Sequence, residues 1–247
     1  MSTAAITIND ISFAYPGYPA CISNLNLTIN EGERFGLFGP NGAGKTTLMQ
    51  LMTGLLAYNK GSIQLLGNEI KKHNKKINHL FGFVPQDFSF YHELSPKENL
   101  AFFGAWAGLT KERIKQRTAE LLQILGLEDV QDKPVNKFSG GMKRRVNLAI
   151  GVIHQPPVLF LDEPTVGVDV QSRHAIINYL KELNRQGSTL IYTSHQLSEA
   201  EDLCTKIALI DEGSIIAHDT LNNLMATHQQ DALEGLFLNL TGKAYRD

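Results

Sequence analysis

The chain has 247 residues, of which 43% are hydrophobic and 19% are charged, and its formal net charge is −2 at pH 7. This length suffices to bury a large core in a single α/β domain. The weak negative charge argues against binding nucleic acid through bulk positive charge, and the two cysteines, Cys21 and Cys204, have neither metal-binding nor redox spacing. No apolar stretch approaches the ~20 residues needed to span a bilayer. We therefore expect a soluble chain that reaches a membrane only through a partner.

Short apolar runs predict strands in the first third of the chain, at residues 6–8, 11–15, 25–29, 34–38, 62–65 and 81–84. The strand at 34–38 leads directly into a glycine-rich segment, and a helical pattern begins at Thr46. From Pro96 to Gly126 the pattern is helical, with Pro96 suited to a first helical turn and Thr110 suited to an N-cap.

In the second half, helices are predicted from Gly140 to about residue 154, at 171–185 and at 197–203, and strands at 158–161, 189–193 and 206–210. The run at 158–161 is continuously apolar, as expected of a parallel strand buried on both faces. Strands that alternate with helices predict a mostly parallel sheet covered on both sides. Residues 87–155 form a mostly helical insertion between two halves of the α/β core.

The glycine-rich segment matches the pattern GxxxxGK[ST] at every fixed position and lies between a predicted strand and a predicted helix. Glycines allow backbone N–H groups to approach phosphates, and the following helix adds its positive N-terminus. Lys45 would contact the β- and γ-phosphates, and the Thr46 hydroxyl would bind Mg²⁺. The predicted nucleotide-binding residues of this loop are Gly39, Pro40, Asn41, Gly42, Ala43, Gly44, Lys45, Thr46 and Thr47.

Two adjacent acids, Asp162 and Glu163, follow the apolar run at 158–161. An aspartate at the C-terminal end of a buried strand can hold Mg²⁺ through water in P-loop enzymes. Glu163 would lie on the γ-phosphate side, where a carboxylate can orient and deprotonate the attacking water. ATP and Mg²⁺ are therefore the predicted ligands.

An ordered set of further motifs makes the prediction more specific: Phe138-Ser-Gly-Gly-Met142, then Asp162-Glu163, Asp169 and His195. From Tyr15 to about Gly213 the chain resembles the ATP-binding-cassette (ABC) ATPase family. The resemblance implies an α/β fold with a P-loop NTPase (RecA-like) core, an N-terminal antiparallel β-subdomain and an inserted α-helical subdomain.

On this basis we expect one ABC ATPase domain at 1–230, with its core at 1–86 and 156–220 and the helical subdomain at about 87–155. A short C-terminal tail would occupy 231–247.

The resemblance also implies roles for individual residues. Tyr15 would stack on adenine, and Gln86 would contact Mg²⁺ and sense the γ-phosphate. Ser139, Gly140 and Gly141 resemble the signature motif, which caps the γ-phosphate bound to a second subunit. Asp169 would make contact across that interface. His195 would bind the γ-phosphate and order the catalytic glutamate.

A serine hydroxyl and glycine amides at a helix N-terminus can bind an anion, so the signature predicts a dimer with two nucleotides between its subunits. The simplest such dimer is a homodimer. Three residues depart from the family pattern, of which Phe138 in place of leucine is a modest apolar change. Met142 replaces a common glutamine and removes an amide, and Val170 stands where proline often follows the aspartate. We expect hydrolysis in spite of these two changes, but the sequence does not set its rate.

The segments SGGMKRR and LDEPTVGVD, together with the tail from Leu233, resemble ATPases of type-2 ABC exporters. This implies separate transmembrane permease subunits as partners and a peripheral location at the cytoplasmic face of the cell membrane. An importer ATPase remains an alternative. A soluble ABC ATPase of translation or DNA repair is disfavoured by the single motif set and the lack of a long insertion. A P-loop kinase or GTPase would not explain residues 138–142.

Two sequence features allow two interpretations each. The basic run at 71–76 predicts either a solvated surface or a contact with anionic headgroups or a membrane partner. Phe102, Phe103 and Trp106 share a predicted helix, where they would form subdomain core or, if exposed, mark the surface that docks a permease.

Overall fold

The computed structural model describes residues 3–70 and 77–242, and these residues form two sheets and eight α-helices. The basic run at 71–76 lies outside the described residues. The strands are β1 (Ala4–Ala14), β2 (Ala20–Asn30), β3 (Arg34–Phe38), β4 (Lys60–Leu65), β5 (Asn68–Glu69), β6 (Phe81–Val84), β7 (Val158–Asp162), β8 (Thr189–Ser194), β9 (Lys206–Asp211) and β10 (Ser214–Thr220). The helices are α1 (Lys45–Met52), α2 (Pro96–Trp106), α3 (Lys111–Ile124), α4 (Gly140–Val152), α5 (Val170–Arg185), α6 (Leu197–Leu203), α7 (Leu221–His228) and α8 (Leu233–Thr241).

The two sheets differ in the relative direction of their strands. The N-terminal sheet is antiparallel, with strand order β2-β1-β4-β5. The second sheet has the order β10-β9-β3-β8-β7-β6 and is parallel except for β10 at its edge. Every residue of β7 and β8 is buried, as expected of central parallel strands that are covered on both faces. This architecture confirms the predicted fold class.

Strand register brings several loops to one edge of the parallel sheet. Phe38, the last residue of β3, pairs with Ser194, the last residue of β8. Asp162 at the end of β7 pairs with Thr193, and Val84 at the end of β6 pairs with Leu161. The segments that follow β3, β6, β7 and β8 therefore leave the sheet side by side, at the carboxyl edge where α/β proteins bind ligands.

Helices α2, α3 and α4 lie between β6 and β7 in the chain. Pro96 stands in the first turn of α2, and Ser95 and Glu98 form a capping box there. The Thr110 side chain accepts a hydrogen bond from the Arg113 backbone N–H and caps α3. These observations confirm the predicted helix starts at 96 and 111.

The secondary structure differs from the prediction at several places, among them the two-residue strand β5, which was not predicted. The strands expected at 6–8 and 11–15 are one strand, β1, because Asp10 takes a positive φ of 51° and forms an irregularity that the ladder absorbs. Strand β10 was not predicted, since its residues are only partly buried at a sheet edge and lack strict alternation. Helix α7 was not predicted either; Thr220 caps it by accepting from the Asn223 N–H.

Helix α8 lies within the predicted tail and packs on the domain. Leu233, Leu236 and Phe237 are at most 2% exposed and belong to the same apolar cluster as residues of α5, β7 and β8. The residues of this helix that face outward include Leu238, which is half exposed. Across the ranges described, no helix is both long and apolar enough to cross a membrane.

Candidate nucleotide-binding and catalytic site

The glycine-rich loop joins β3 to α1 and is shaped by close backbone packing. A side chain at Gly39 would place its Cβ 2.1 Å from the carbonyl oxygen of Ile210, so only glycine fits beside β9. Gly44 caps α1 with a φ of 104°, a conformation that L side chains rarely adopt. The N–H groups of the first turn of α1 have no intrahelical acceptors and lie at the positive end of the helix dipole. The loop therefore presents an anion-binding concavity.

The Lys45 side chain is folded into this loop. Its Nζ donates hydrogen bonds to the carbonyl oxygens of Gly39, at 2.7 Å, and Pro40, at 3.1 Å. Burial lowers the pKa of Lys45, while the nearby carboxylates of Glu163 and Asp162 act in the opposite direction. A phosphate bound in the loop would add negative charge next to this ammonium and favour its cationic form.

Asp162 is buried at the end of β7 and faces two threonine hydroxyls. Thr193 Oγ1 donates to its Oδ1 at 2.6 Å, and Thr46 is a second hydroxyl partner. Burial raises the pKa of Asp162 in spite of these hydrogen bonds. Within the described ranges no group of three or more His, Cys, Asp or Glu side chains could hold a metal. One carboxylate and one hydroxyl are nevertheless the small set of protein oxygens that suits Mg²⁺, whose remaining ligands are phosphate oxygens and water.

Glu163 is held on both carboxylate oxygens. Gln86 Nε2 donates to Oε2 at 3.0 Å, and His195 Nδ1 lies 3.3 Å from Oε1. The Glu163 backbone has a φ of 49°, and its N–H donates to the carbonyl and hydroxyl oxygens of Thr193. A non-glycine residue in this region is uncommon, and here the backbone contacts of β8 maintain it. The structure thus brings together three of the predicted site residues from three separate segments.

Tyr15 follows β1 and reaches the start of α1. Its hydroxyl lies 3.2 Å from Thr47 Oγ1, its ring meets Phe13 edge to face, and the residue is 38% exposed. An exposed aromatic face beside the phosphate loop is suited to stack on a purine.

The predicted signature residues lie at the start of α4, next to Asp169. Among the described residues they make no hydrogen bond to the loop that contains Lys45. Ser139 is exposed and caps α4 by accepting from the Met142 N–H at 3.3 Å. A Cβ on Gly141 would lie 3.1 Å from Ser172 Oγ and 3.3 Å from Asp169 Oδ2. The Asp169 carboxylate itself caps α5, and its two hydrogen bonds from Ser172 lower its pKa.

Sequence reasoning missed two residues that shape this site. Thr193 joins Asp162 to the Glu163 backbone, and its position directly before Ser194-His195 was an available signal. Arg144, on α4, donates to the Gln86 carbonyl oxygen at 2.6 Å and lies over the Phe88 ring. No local sequence pattern indicates that contact.

A strand, a glycine loop and a helix, with an acidic pair at the end of a neighbouring strand, define a P-loop nucleotide-binding protein. The family model described as ABC transporter matches residues 22–166. The linearmycin resistance ATP-binding protein LnrL of Bacillus subtilis is 40% identical over 96% of this chain and 76% of the relative. The chain therefore belongs to the ABC transporter family and is the ATP-binding subunit of such a transporter.

Two further comparisons agree with this assignment. The Nod factor export ATP-binding protein I of Ralstonia nicotianae is 37% identical over 92% of this chain and 70% of the relative. A solved structure described as the ATP binding subunit of an ABC transporter superposes with a TM-score of 0.88 at 26% identity, covering 96% of this chain and 99% of the other.

Proposed function

We propose that the chain binds Mg²⁺-ATP and hydrolyses it to ADP and phosphate, as the ATPase subunit of an exporter. The observation that carries this proposal is the buried Glu163 carboxylate, which is held by Gln86 and His195 beside Asp162 and Lys45. A carboxylate positioned at the edge of a phosphate site can accept a proton from an attacking water. The neighbouring groups supply the charge and orientation that phosphoryl transfer requires.

The residues of the site divide the work of hydrolysis. The loop of Gly39–Thr46 and the Lys45 ammonium would hold the β- and γ-phosphates, while Tyr15 would stack on the adenine. Thr46 and Asp162 would hold Mg²⁺, with Gln86 contributing, and the ion when bound neutralises phosphate charge. Glu163 would orient and deprotonate the attacking water.

His195 would fix the Glu163 carboxylate and bond the γ-phosphate. Gln86 Nε2 donates to one carboxylate oxygen at 3.0 Å, and the second lone pair of that oxygen can accept from water. Arg144 donates to the Gln86 carbonyl oxygen and therefore links Gln86 to α4.

The subunit is proposed to act as a homodimer. Ser139 and Gly140 are exposed at the N-terminus of α4, and the described residues contain no hydrogen bond from them to their own phosphate loop. Their hydroxyl and amides would instead cap the γ-phosphate on a second copy, with Asp169 at the same face. Closure around two nucleotides would place the reacting groups and exclude bulk water.

Separate permease subunits would carry the cargo. The names of two relatives refer to Nod factor export and to linearmycin resistance, which favours export over import. Phe103 packs against the core, while Tyr91, Phe102 and Trp106 are 45–69% exposed, and the Tyr91 and Phe102 rings meet edge to face at 4.9 Å. These exposed aromatic residues, Phe102 and Trp106 on α2 and Tyr91 before it, are the proposed permease-docking surface, at the cytoplasmic face of the cell membrane.

The experiment measures phosphate release and ATP affinity of the wild type, Glu163→Gln and the control Glu128→Gln, whose carboxylate is exposed. We expect Glu163→Gln to lower kcat by about 100-fold or more, the range of a lost general base, with ATP affinity retained. The control should match the wild type. Hydrolysis at the wild-type rate by Glu163→Gln would refute the assigned base, and a wild type that binds but never hydrolyses ATP would refute the enzymatic proposal.

A further inference from the structure

Behind the His195 turn lies a buried polar network centred on Glu199 of α6. Glu199 is 5% exposed, and three hydroxyl groups converge on its carboxylate. Tyr192 and Ser194 donate to Oε2 at 2.6 and 2.7 Å, and Thr165 Oγ1 lies 2.9 and 3.0 Å from the two oxygens. Arg173 adds an ion pair, with Nε 3.5 Å from Oε1.

A buried carboxylate is expensive unless it is hydrogen-bonded, so three hydroxyl partners and one ion pair on one side chain indicate a defined arrangement. Burial, together with the Glu199 carboxylate, raises the pKa of Tyr192 well above its usual value. The phenol therefore remains a protonated donor at neutral pH.

The partners of Glu199 come from three segments that carry functional residues. Ser194 directly precedes His195, and its Oγ also accepts from the Gln196 N–H, which fixes the turn. Thr165 follows Glu163 by two residues.

Arg173 is the third connection. It lies in the first turns of α5, and its backbone N–H donates to the carbonyl oxygen of Asp169. One carboxylate thus ties the His195 turn, the segment after Glu163 and the helix that begins at Asp169.

We propose that Glu199 is a positioning residue for ATP hydrolysis: it fixes His195 relative to Glu163, and through Arg173 it fixes both relative to the dimer-facing Asp169 segment. This inference rests on the proposed function. Glu199 itself contacts neither the phosphate loop nor Asp162 in the described hydrogen bonds, so its removal should impair the chemical step and spare ATP binding.

The test compares kcat and KM for ATP in the wild type, Glu199→Gln, Ser194→Ala and the double variant, with Glu201→Gln as a control. Glu201 lies on the same helix but is exposed, so the control makes the same chemical change outside the network. We expect Glu199→Gln to lower kcat by about tenfold or more, the effect of a lost hydrogen bond to a charged group, with KM within about twofold of the wild type. The control should retain wild-type values.

The double variant separates positioning from general weakening of the fold. If Ser194 acts through Glu199, Glu199→Gln/Ser194→Ala should be no slower than Glu199→Gln alone. Fully multiplicative losses, or a kcat for Glu199→Gln equal to that of Glu201→Gln, would overturn the inference. So would a rise in KM without a fall in kcat. A wild type without ATPase activity would instead refute the proposed function on which the inference rests.

Discussion

The position of single atoms at the phosphate loop explains why Lys45 is expected to bind ATP. Its ammonium is buried and satisfied by the Gly39 and Pro40 carbonyl oxygens, so in this arrangement it lies within the loop that would surround the phosphates. Exchanging these carbonyls for phosphate oxygens replaces neutral acceptors by charged ones, and charge-assisted hydrogen bonds are the stronger kind.

Lys45→Ala should therefore weaken ATP binding. A hydrogen bond to a charged group contributes about 1.5–3 kcal/mol, so we expect Kd for Mg²⁺-ATP to rise about 10- to 100-fold. The measurement is calorimetric titration of nucleotide. The control is Lys60→Ala, which removes an exposed cation paired with Asp10 at 3.0 Å. Equal affinities of the two variants for Mg²⁺-ATP would show that Lys45 does not contribute to ATP binding.

How far single residues could be predicted depended on whether their signal was local. The loop from Gly39 to Thr46 was predictable, because the spacing of its glycines, lysine and threonine indicates both the shape of the backbone and a phosphate ligand. The hydrogen bond from Gln86 to Glu163 joins residues 77 positions apart, and its partners meet only because β6 and β7 are neighbours in the sheet. The convergence on Glu199 has the same cause, since Thr165 and Ser194 leave adjacent strands.

At the scale of elements, buried segments were predictable, and the partly exposed edge strand β10 was not. The apolar runs of β3 and β7 carry strong signals since both faces are covered, and β6, although it is an edge strand, alternates half-buried and buried residues. Strand β10 is an edge strand with partly exposed residues, so its sequence carries a weak pattern. Its antiparallel pairing with the preceding strand, β9, makes this segment a strand.

Helix α8 provides a test of whether the C-terminal segment is part of the folded domain. Leu236 is fully buried in the core cluster, whereas Leu238 on the same helix is 50% exposed. We expect Leu236→Ala to lower the free energy of unfolding by about 2–5 kcal/mol, as is usual for truncating a buried leucine. Leu238→Ala should change it by about 0.5 kcal/mol or less. Urea denaturation measures both values, and equal stabilities would show that α8 is a dispensable tail.

At the scale of the whole molecule, the proposed dimer would add a second surface to the site of one chain. The Lys45 loop presents donors to one side of a bound nucleotide, while the exposed Ser139 hydroxyl at the start of α4 has only the Met142 N–H as a hydrogen-bond partner in the described residues. Two copies related by a twofold axis would bring each Ser139 to the nucleotide of the other, since a symmetric dimer presents the same patch twice. Nucleotide would then be a structural part of the interface.

This arrangement predicts dimerisation that depends on ATP. We expect Glu163→Gln to be a monomer without nucleotide and a dimer with Mg²⁺-ATP, because ATP that is not hydrolysed keeps its γ-phosphate between the subunits. Light scattering measures the mass in both states. Adding Ser139→Trp should block the dimer while leaving ATP affinity unchanged, because the exposed Ser139 lies on the proposed interface and makes no hydrogen bond to the phosphate loop of its own chain. If Glu163→Gln with its native Ser139 binds ATP tightly yet stays monomeric, or if the added Ser139→Trp leaves the dimer intact, α4 does not cap the nucleotide of a second copy.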